Sequence, residues 1–275
     1  MSLTVARVLI FVLAIFSAVA MPFESVMAGV IGKENRQSIE KYAQASKVDI
    51  QEIRGRYGAT GRIMCPFREA SAFIIYKPNI VATARHNLFP EKEMNSYAGK
   101  SDILRCSFEL TDGETSTWYK VDVNSFVYPE ENQRSVADRF DWVVMRLTAP
   151  ISGVTPYRLP TNPALKGDSV TTSTIRQDGF REDGWNARIL GDCKIRNVVA
   201  IDKIAGSGIF TDCSSAPGAS GGALLKQTEY GLEAVGIMSS TTLTNCKKYK
   251  MKSCSSYAVG ISNEVVQAIK ELADQ

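Results

Sequence analysis

Ser220 lies in a glycine-rich stretch, Gly218–Gly222, that is followed by the apolar run Ala223–Leu225. Glycines allow backbone conformations that a Cβ forbids, so such a turn can expose a serine Oγ and aim neighbouring N–H groups at one point. Two donors of this kind form the oxyanion hole of acyl transfer. The stretch therefore indicates a nucleophilic serine in a turn that could supply oxyanion donors. A polar β-turn between two strands is the alternative.

A serine hydroxyl is a weak nucleophile until a base takes its proton. The chain has one histidine, so an imidazole base can only be His86. His86 follows the apolar run Ile80–Ala82, which predicts a short buried strand ending in a small-residue turn. A carboxylate must then orient the imidazole, and Asp141 opens the strand-like run Asp141–Leu147. Asp138 is the weaker alternative, because it lies outside that apolar run.

These segments together resemble the chymotrypsin-like (trypsin-like) serine proteases. Thr83–His86 is similar to the family's T-A-x-H motif, and Gly218–Gly222 is similar to G-D-S-G-G. The order His86, Asp141, Ser220 is also the order found in that fold. The resemblance covers about residues 30 to 272. It implies a serine endopeptidase with these three residues as catalytic triad, the N–H groups of Gly218 and Ser220 as oxyanion donors, an acyl-enzyme, protein or peptide substrates, and no metal or organic cofactor.

One position departs from the trypsin pattern. Ala219 stands where trypsin-type members carry an aspartate that pairs with a newly cut amino terminus, so that style of activation is not implied. The bacterial branch with the glutamyl endopeptidases also lacks this aspartate, and its V-I-G-x-x-x-R-like start resembles Val30–Arg36. Those enzymes bind the substrate carboxylate with a second histidine. This chain has Met238 on the corresponding strand, so glutamyl specificity does not follow.

The resemblance also implies substrate-binding positions. Ser214 matches the base of the primary specificity pocket, where it offers no carboxylate to select Lys or Arg. Gly236–Ser240 resembles the strand of the pocket wall. There Ser239 would face the triad carboxylate, and Ser239, Ser240 and Thr241 would bind substrate backbone.

A lysine-rich segment separates Cys246 from Cys254. Its four lysines are Lys247, Lys248, Lys250 and Lys252. Charge runs of this kind usually form a solvated hairpin tip. By resemblance the segment borders the specificity pocket, which gives the alternative that its charges favour acidic over basic residues near the scissile bond.

Residues 1–20 predict a signal peptide, with Arg7 as its charged region, Val8–Val19 as its apolar region and Ala18–Ala20 as a small-x-small cleavage pattern. An uncleaved membrane anchor is the alternative. The signal predicts a secreted or periplasmic protein without stable membrane insertion after cleavage. A net charge of +3 without a long basic stripe does not indicate a nucleic-acid partner. The sequence leaves the oligomeric state open.

Six cysteines behind a signal peptide predict disulfides, and the absence of C-x-x-C argues against a zinc site. The preferred pairs are Cys65–Cys106, Cys193–Cys213 and Cys246–Cys254. The alternative is Cys213–Cys246, because the resemblance implies a bridge between the segment before Ser220 and a loop beside the pocket.

Many short strand-like runs separated by turns predict an all-β barrel or sandwich. The resemblance specifies two six-stranded antiparallel β-barrels with a C-terminal α-helix and an active site between them. Residues 21–61 form either an N-terminal segment with some helix or a pro-segment. The proline-rich stretch 148–167 predicts the boundary, with a first barrel over 62–150 and a second barrel plus helix over 151–275. Ser262 is the predicted N-cap of the helix Glu264–Leu272.

Two other functions fit the same residues. One is a binding module on a protease fold, with a weak or inactive triad. The other is an esterase that uses the same three side chains.

Overall fold

The computed structural model describes residues 29–66, 68–89, 105–112, 115–129, 140–175, 188–201, 203–241 and 246–275. The expected signal peptide, residues 1–20, and the alternative carboxylate Asp138 lie outside the described residues. Among the helices of the described part, none has the length and apolar character needed to cross a membrane.

A short strand and two helices precede the barrels. They are β1 (Arg36–Ser38), α1 (Ile39–Ser46) and α2 (Ile50–Arg56). Each helix begins at a residue whose side chain accepts backbone N–H groups. The Ser38 hydroxyl accepts the N–H of Lys41 at 3.4 Å, and the Asp49 carboxylate accepts that of Gln51 at 2.8 Å. Such caps satisfy donors that have no partner within the helix.

The first barrel contains six antiparallel strands. They are β2 (Thr60–Cys65), β3 (Arg68–Ile74), β4 (Ile80–Thr83), β5 (Ser107–Asp112), β6 (Thr115–Lys120) and β7 (Val143–Arg146), arranged in the order β6-β5-β2-β3-β4-β7. Just beyond the two edge strands, Val121 and Leu147 form a single antiparallel bridge that brings the edges together. Fully buried Phe73 and Phe108 contribute to its core.

The second barrel also contains six strands and carries β1 as a seventh. They are β8 (Ser169–Ile175), β9 (Arg188–Ile201), β10 (Ile204–Thr211), β11 (Ala223–Thr228), β12 (Gly231–Thr241) and β13 (Ser256–Gly260). The order is β9-β10-β13-β12-β11-β8, and β8 pairs again with β9 to close the barrel. β1 pairs antiparallel with β9, so the N-terminal segment is attached to this barrel. The all-β, two-barrel prediction is thereby confirmed.

One long strand replaces two predicted ones in the second barrel. The sequence predicts separate strands over Trp185–Leu190 and Asn197–Ile204, but β9 runs unbroken from Arg188 to Ile201. The polar residues in the middle of β9, Asp192, Lys194 and Arg196, are exposed, whereas Ile195 between them is buried. This alternation is that of a strand with one buried face, so the polar residues do not indicate a turn. Most of β10 is not predicted, because its glycines weaken the strand pattern. Gly208 lies so close to β9 that a Cβ would come within 2.7 Å of a Val199 methyl.

The chain ends in a helix, α3 (Asn263–Ala273), that buries Val265, Ile269 and Leu272 as its apolar spacing predicts. Ser262 occupies the predicted N-cap position, but its side chain makes no capping hydrogen bond. The N-cap residue is thus the predicted one, and its side chain does not contribute to the cap.

Two side chains, half-buried Arg188 and buried Tyr157, connect the second barrel and the linker to the first half of the chain. The Arg188 guanidinium, on the second barrel, donates to the Thr60 carbonyl at 2.7 Å and to the Thr111 carbonyl at 3.3 Å on the first. The Tyr157 hydroxyl, from the linker, donates to the Tyr57 carbonyl at 3.0 Å, and burial raises the pKa of Tyr157. These bonds fix the docking of the halves because a buried polar group left without a partner is costly.

Three disulfides join the preferred cysteine pairs, Cys65–Cys106, Cys193–Cys213 and Cys246–Cys254, and no described cysteine is free. The alternative bridge Cys213–Cys246 is absent. Each bridge lies within one barrel and joins cysteines that are 41, 20 and 8 positions apart in the sequence, respectively.

The stability lost on removal of each disulfide should depend on the length of the loop that the disulfide closes. Replacing Cys65 and Cys106 by Ala should lower the free energy of unfolding by roughly 1.5 kcal/mol more than replacing Cys246 and Cys254, because the first pair closes a loop of 41 rather than 8 residues. Urea denaturation of both double variants measures the difference. An equal or larger loss for the shorter loop would contradict this expectation.

Candidate active site

His86 and Asp141 are brought together by two neighbouring strands of the first barrel. The strand β4 ends at Thr83 and is followed by a 3₁₀ turn, Arg85–Asn87, that carries His86. The strand β7 begins at Val143, directly opposite Thr83 in the antiparallel ladder. The segment that follows β4 and carries His86 therefore lies at the same end of this strand pair as the segment that precedes β7 and carries Asp141.

The Asp141 carboxylate holds the His86 imidazole and the His86 backbone together. The Nδ1 atom of His86 lies 2.8 Å from Oδ2 and 3.0 Å from Oδ1 of Asp141, and the His86 N–H donates to Oδ1 at 2.9 Å. The Asp141 side chain is 8% exposed and that of His86 is 32% exposed. An acceptor on Nδ1 fixes the tautomer that leaves Nε2 free to accept a proton.

Ser239 connects this pair to the second barrel. The pairing of β12 with β13 shifts between Met238 and Ser240, so Ser239 is the extra residue of a β-bulge. Its hydroxyl donates to Oδ2 of Asp141, and its carbonyl accepts the Ser220 hydroxyl at 3.0 Å. Bulges next to active sites often redirect a side chain in this way. Ser239 thus faces the carboxylate, as the family resemblance implies.

The turn around Ser220 leaves two N–H groups unused. Gly218 and Gly221 have φ of +87° and +83°, which a side chain would disfavour. The N–H of Ala219 donates to the Ala216 carbonyl and that of Gly221 to the Met238 carbonyl. Within the described residues, the N–H groups of Gly218 and Ser220 donate to no acceptor. Both predicted oxyanion donors are therefore available to a ligand.

The Ser220 hydroxyl donates to Ser239 and makes no hydrogen bond to His86 in this rotamer. Rotation about the Ser220 Cα–Cβ bond moves Oγ without any change in the backbone. Hydrogen bonds between catalytic groups often tighten only when substrate is bound.

The predicted substrate-binding residues lie on two segments, one that precedes Ser220 in the sequence and one that follows Ser239 on β12. Ser214 is 3% exposed, and its Oγ accepts the N–H of Ile31 at 3.3 Å. Ser240 pairs with Tyr257 on β13, and the Thr241 hydroxyl accepts the Ser256 hydroxyl at 3.0 Å. The contact of Ile31 with the expected pocket base was not predicted, since nothing in the sequence places the N-terminal segment there.

Arg68 is a second residue that sequence reasoning misses. Its guanidinium donates to the His86 carbonyl at 2.9 Å and so restrains the 3₁₀ turn. An exposed arginine on a strand has no sequence signal that would indicate this contact. Within the described ranges, no cluster of His, Cys, Asp and Glu side chains has an arrangement suited to a metal ion.

Comparison with known structures defines the fold class. A solved structure described as "Structure of Glu endopeptidase in complex with MPD" is similar over 90% of this chain and 100% of that chain, with a TM-score of 0.65 and 16% sequence identity. At this identity the similarity shows a shared chymotrypsin-like fold. A family model described as Trypsin matches residues 60–260, and the chain belongs to the trypsin family. The chain is accordingly a serine endopeptidase, a hydrolase of protein substrates. No curated protein matches it.

The close approach of Gly221 to the first barrel can be tested by comparing an alanine substitution there with one at Gly153, which has a similar backbone conformation but no close neighbours. A Cβ on Gly221 would lie 2.1 Å from both the Ser71 carbonyl and the Thr83 hydroxyl, whereas one on Gly153 would meet nothing within 4 Å. Both glycines have positive φ, so Ala at either position costs about 1–2 kcal/mol of backbone strain. Gly221→Ala should lower the free energy of unfolding by roughly 1–3 kcal/mol more than Gly153→Ala, as overpacking does. If urea denaturation gives the same loss of unfolding free energy for both variants, Gly221 does not lie as close to Ser71 and Thr83 as described.

Proposed function

We propose that the protein hydrolyses peptide bonds through Ser220, His86 and Asp141, with a covalent acyl-enzyme intermediate. The observation that carries the proposal is the hydrogen-bonded connection across the two barrels. It runs from His86 Nδ1 to Asp141 at 2.8 Å, from Asp141 to the Ser239 hydroxyl, and from the Ser239 carbonyl to Ser220 at 3.0 Å. This arrangement supports a base, an orienting carboxylate and a nucleophile that act together.

Acylation begins when the Ser220 Oγ turns toward Nε2 of His86 and attacks the substrate carbonyl carbon. His86 accepts the hydroxyl proton, and Asp141 stabilises the imidazolium that results. The carbonyl oxygen becomes an oxyanion and receives the N–H groups of Gly218 and Ser220. Such donors lower the barrier because they are already oriented where negative charge develops.

Breakdown of the tetrahedral intermediate breaks the C–N bond. His86 gives its proton to the leaving amine, and the acyl group stays on the Ser220 Oγ. Water then attacks the ester carbon while His86 accepts its proton. The second tetrahedral intermediate collapses with breakage of the C–Oγ bond, and His86 returns the proton to the Ser220 Oγ as the carboxylic acid leaves.

The compartment that we propose is extracellular or periplasmic. Two features support it: the signal-like composition of residues 1–20, and three disulfides. Disulfides persist in oxidising compartments.

Substitution of the nucleophile and of the base tests the mechanism. Ser220→Ala and His86→Ala should each lower kcat on a peptide substrate by about 10⁶-fold, and the double variant should be no worse, because the residues act as a unit. A fluorophosphonate should label the wild-type protein on Ser220, as located by peptide mapping, and should not label Ser220→Ala.

The outcomes separate the alternatives. Retained activity in His86→Ala would overturn the triad. A folded wild-type protein that binds peptides but neither hydrolyses them nor reacts with the fluorophosphonate would be a binding module. Hydrolysis of esters without any hydrolysis of peptides would make it an esterase.

The lysine loop, Cys246–Cys254, supports a further proposal about substrate preference. Its four lysines are exposed and form no salt bridge with a described residue. Cys246 is hydrogen-bonded through its N–H to the Val30 carbonyl at 2.8 Å, and the next residue, Ile31, contacts Ser214. The segment Val30–Ile31 thus connects the lysine loop to the expected pocket base. Uncompensated positive charge there raises the local concentration of anionic segments.

A peptide library tests this preference. Acidic residues near the scissile bond should be favoured over basic ones, and the preference should weaken as salt shortens the Debye length from about 30 Å at 0.01 M to about 10 Å at 0.1 M. Changing the four loop lysines, Lys247, Lys248, Lys250 and Lys252, to Gln should abolish it. The matched control changes four exposed lysines elsewhere, Lys77, Lys120, Lys166 and Lys270. If the loop variant and the control variant cleave the library with the same profile, the loop does not influence substrate preference and is only a solvated hairpin tip.

A further inference from the structure

His86 and Ser220 belong to different barrels and make no hydrogen bond to each other. A cluster of three buried side chains of the first barrel contacts the turn that carries Ser220. Its members are Ser71 on β3, Thr83 at the end of β4 and Asn87 in the 3₁₀ turn, with exposures of 0%, 0% and 7%. None of them belongs to the proposed triad or to the expected substrate-binding residues.

Ser71 holds the carbonyl of Gly218 with two hydrogen bonds. Its backbone N–H donates to that oxygen at 3.0 Å, and its hydroxyl donates to the same oxygen at 2.5 Å. The hydroxyl also accepts the N–H of Ile175 at 2.8 Å, at the end of β8. One side chain of the first barrel therefore joins two elements of the second, because its hydroxyl acts both as a donor and as an acceptor.

Asn87 holds the carbonyl of Ser220 itself. Its Nδ2 group donates to that oxygen at 3.1 Å and to the Thr83 hydroxyl at 3.1 Å. The Thr83 hydroxyl in turn donates to the Ser71 carbonyl at 2.7 Å. Asn87 is the sequence neighbour of His86, so the residue beside the base also fixes the position of the nucleophile.

These contacts matter because the turn is conformationally permissive. Gly218, at φ +87°, can adopt several backbone conformations, and in some of them its N–H turns away from the oxyanion position. Fixing the Gly218 carbonyl restrains the torsions that set the direction of that N–H. Fixing the Ser220 carbonyl restrains the residue that supplies both the second donor and the nucleophile.

We propose that Ser71 and Asn87, linked through Thr83, are positioning residues that hold the oxyanion donors and the nucleophile in register with His86. The inference rests on the proposed roles of Ser220 and His86. The cluster touches neither substrate nor the reacting atoms; it acts through the two carbonyl groups that it holds.

Ser71→Ala and Asn87→Ala test the proposal. In each variant kcat should fall about 10- to 100-fold, because a misplaced donor or nucleophile costs transition-state stabilisation. The affinity for a peptide aldehyde, which forms a tetrahedral adduct on Ser220, should weaken by a similar factor. KM and the affinity for the product peptide should change by less than about twofold, since ground-state binding does not use these groups. Ser71→Thr, which keeps the hydroxyl, should recover most of the aldehyde affinity.

A matched control separates positioning from stability. Ser125 is 4% exposed, and its hydroxyl donates to the Asp122 carbonyl at 2.6 Å and accepts the N–H of Arg146 at 2.8 Å, within the first barrel. Ser125→Ala should lower the melting temperature comparably and leave kcat and aldehyde affinity unchanged. Asn87→Asp is nearly isosteric and removes the donor, so it serves if the Ala variants do not fold.

The two proposals fail differently. Wild-type protein that is not labelled on Ser220 by a fluorophosphonate would overturn the proposed function. If Ser220 is labelled, and Ser71→Ala, or Asn87→Asp in its place, keeps wild-type kcat and aldehyde affinity, the positioning role is overturned while the triad stands.

Discussion

A carboxylate buried at the junction of two barrels needs hydrogen bonds from both, and this requirement constrains the whole molecule. Asp141 receives the backbone N–H and the imidazole of His86 from its own barrel, and the hydroxyl of Ser239 from the other. A buried charge without such partners costs several kcal/mol, so the halves can dock in only a narrow range of orientations. The cleft between them takes its shape from that orientation.

Sequence reasoning located the residues that carry local signatures. His86 could be identified because it is the single histidine and follows a short apolar strand, and Ser220 because glycines surround it. Asp141 opens a strand-like run of apolar residues, which favours it over Asp138. Each of these signals lies within a few residues, which is why no knowledge of the tertiary structure was needed.

Local signals in the sequence do not predict the contacts between the barrels, and only that of Ser239 with Asp141 was expected, from the family resemblance. The bulge at Ser239 arises from a shift in strand register, and the bonds of Ser71 and Asn87 to the Ser220 turn arise from docking. Serine and asparagine are common in strands and turns, so their types alone carried no information. The continuous strand β9 was likewise concealed, because its polar residues face outward and resemble a turn.

The three disulfides have a mechanical consequence. Each one closes a loop within a single barrel, and none of them crosses the cleft. The covalent cross-links therefore reinforce each barrel separately, and the barrels are joined by non-covalent contacts and by the chain segments that pass between them, which include the one from β1 to the first barrel. Separation of the barrels at the cleft would therefore break no disulfide, and it would part His86 and Asp141 from Ser220.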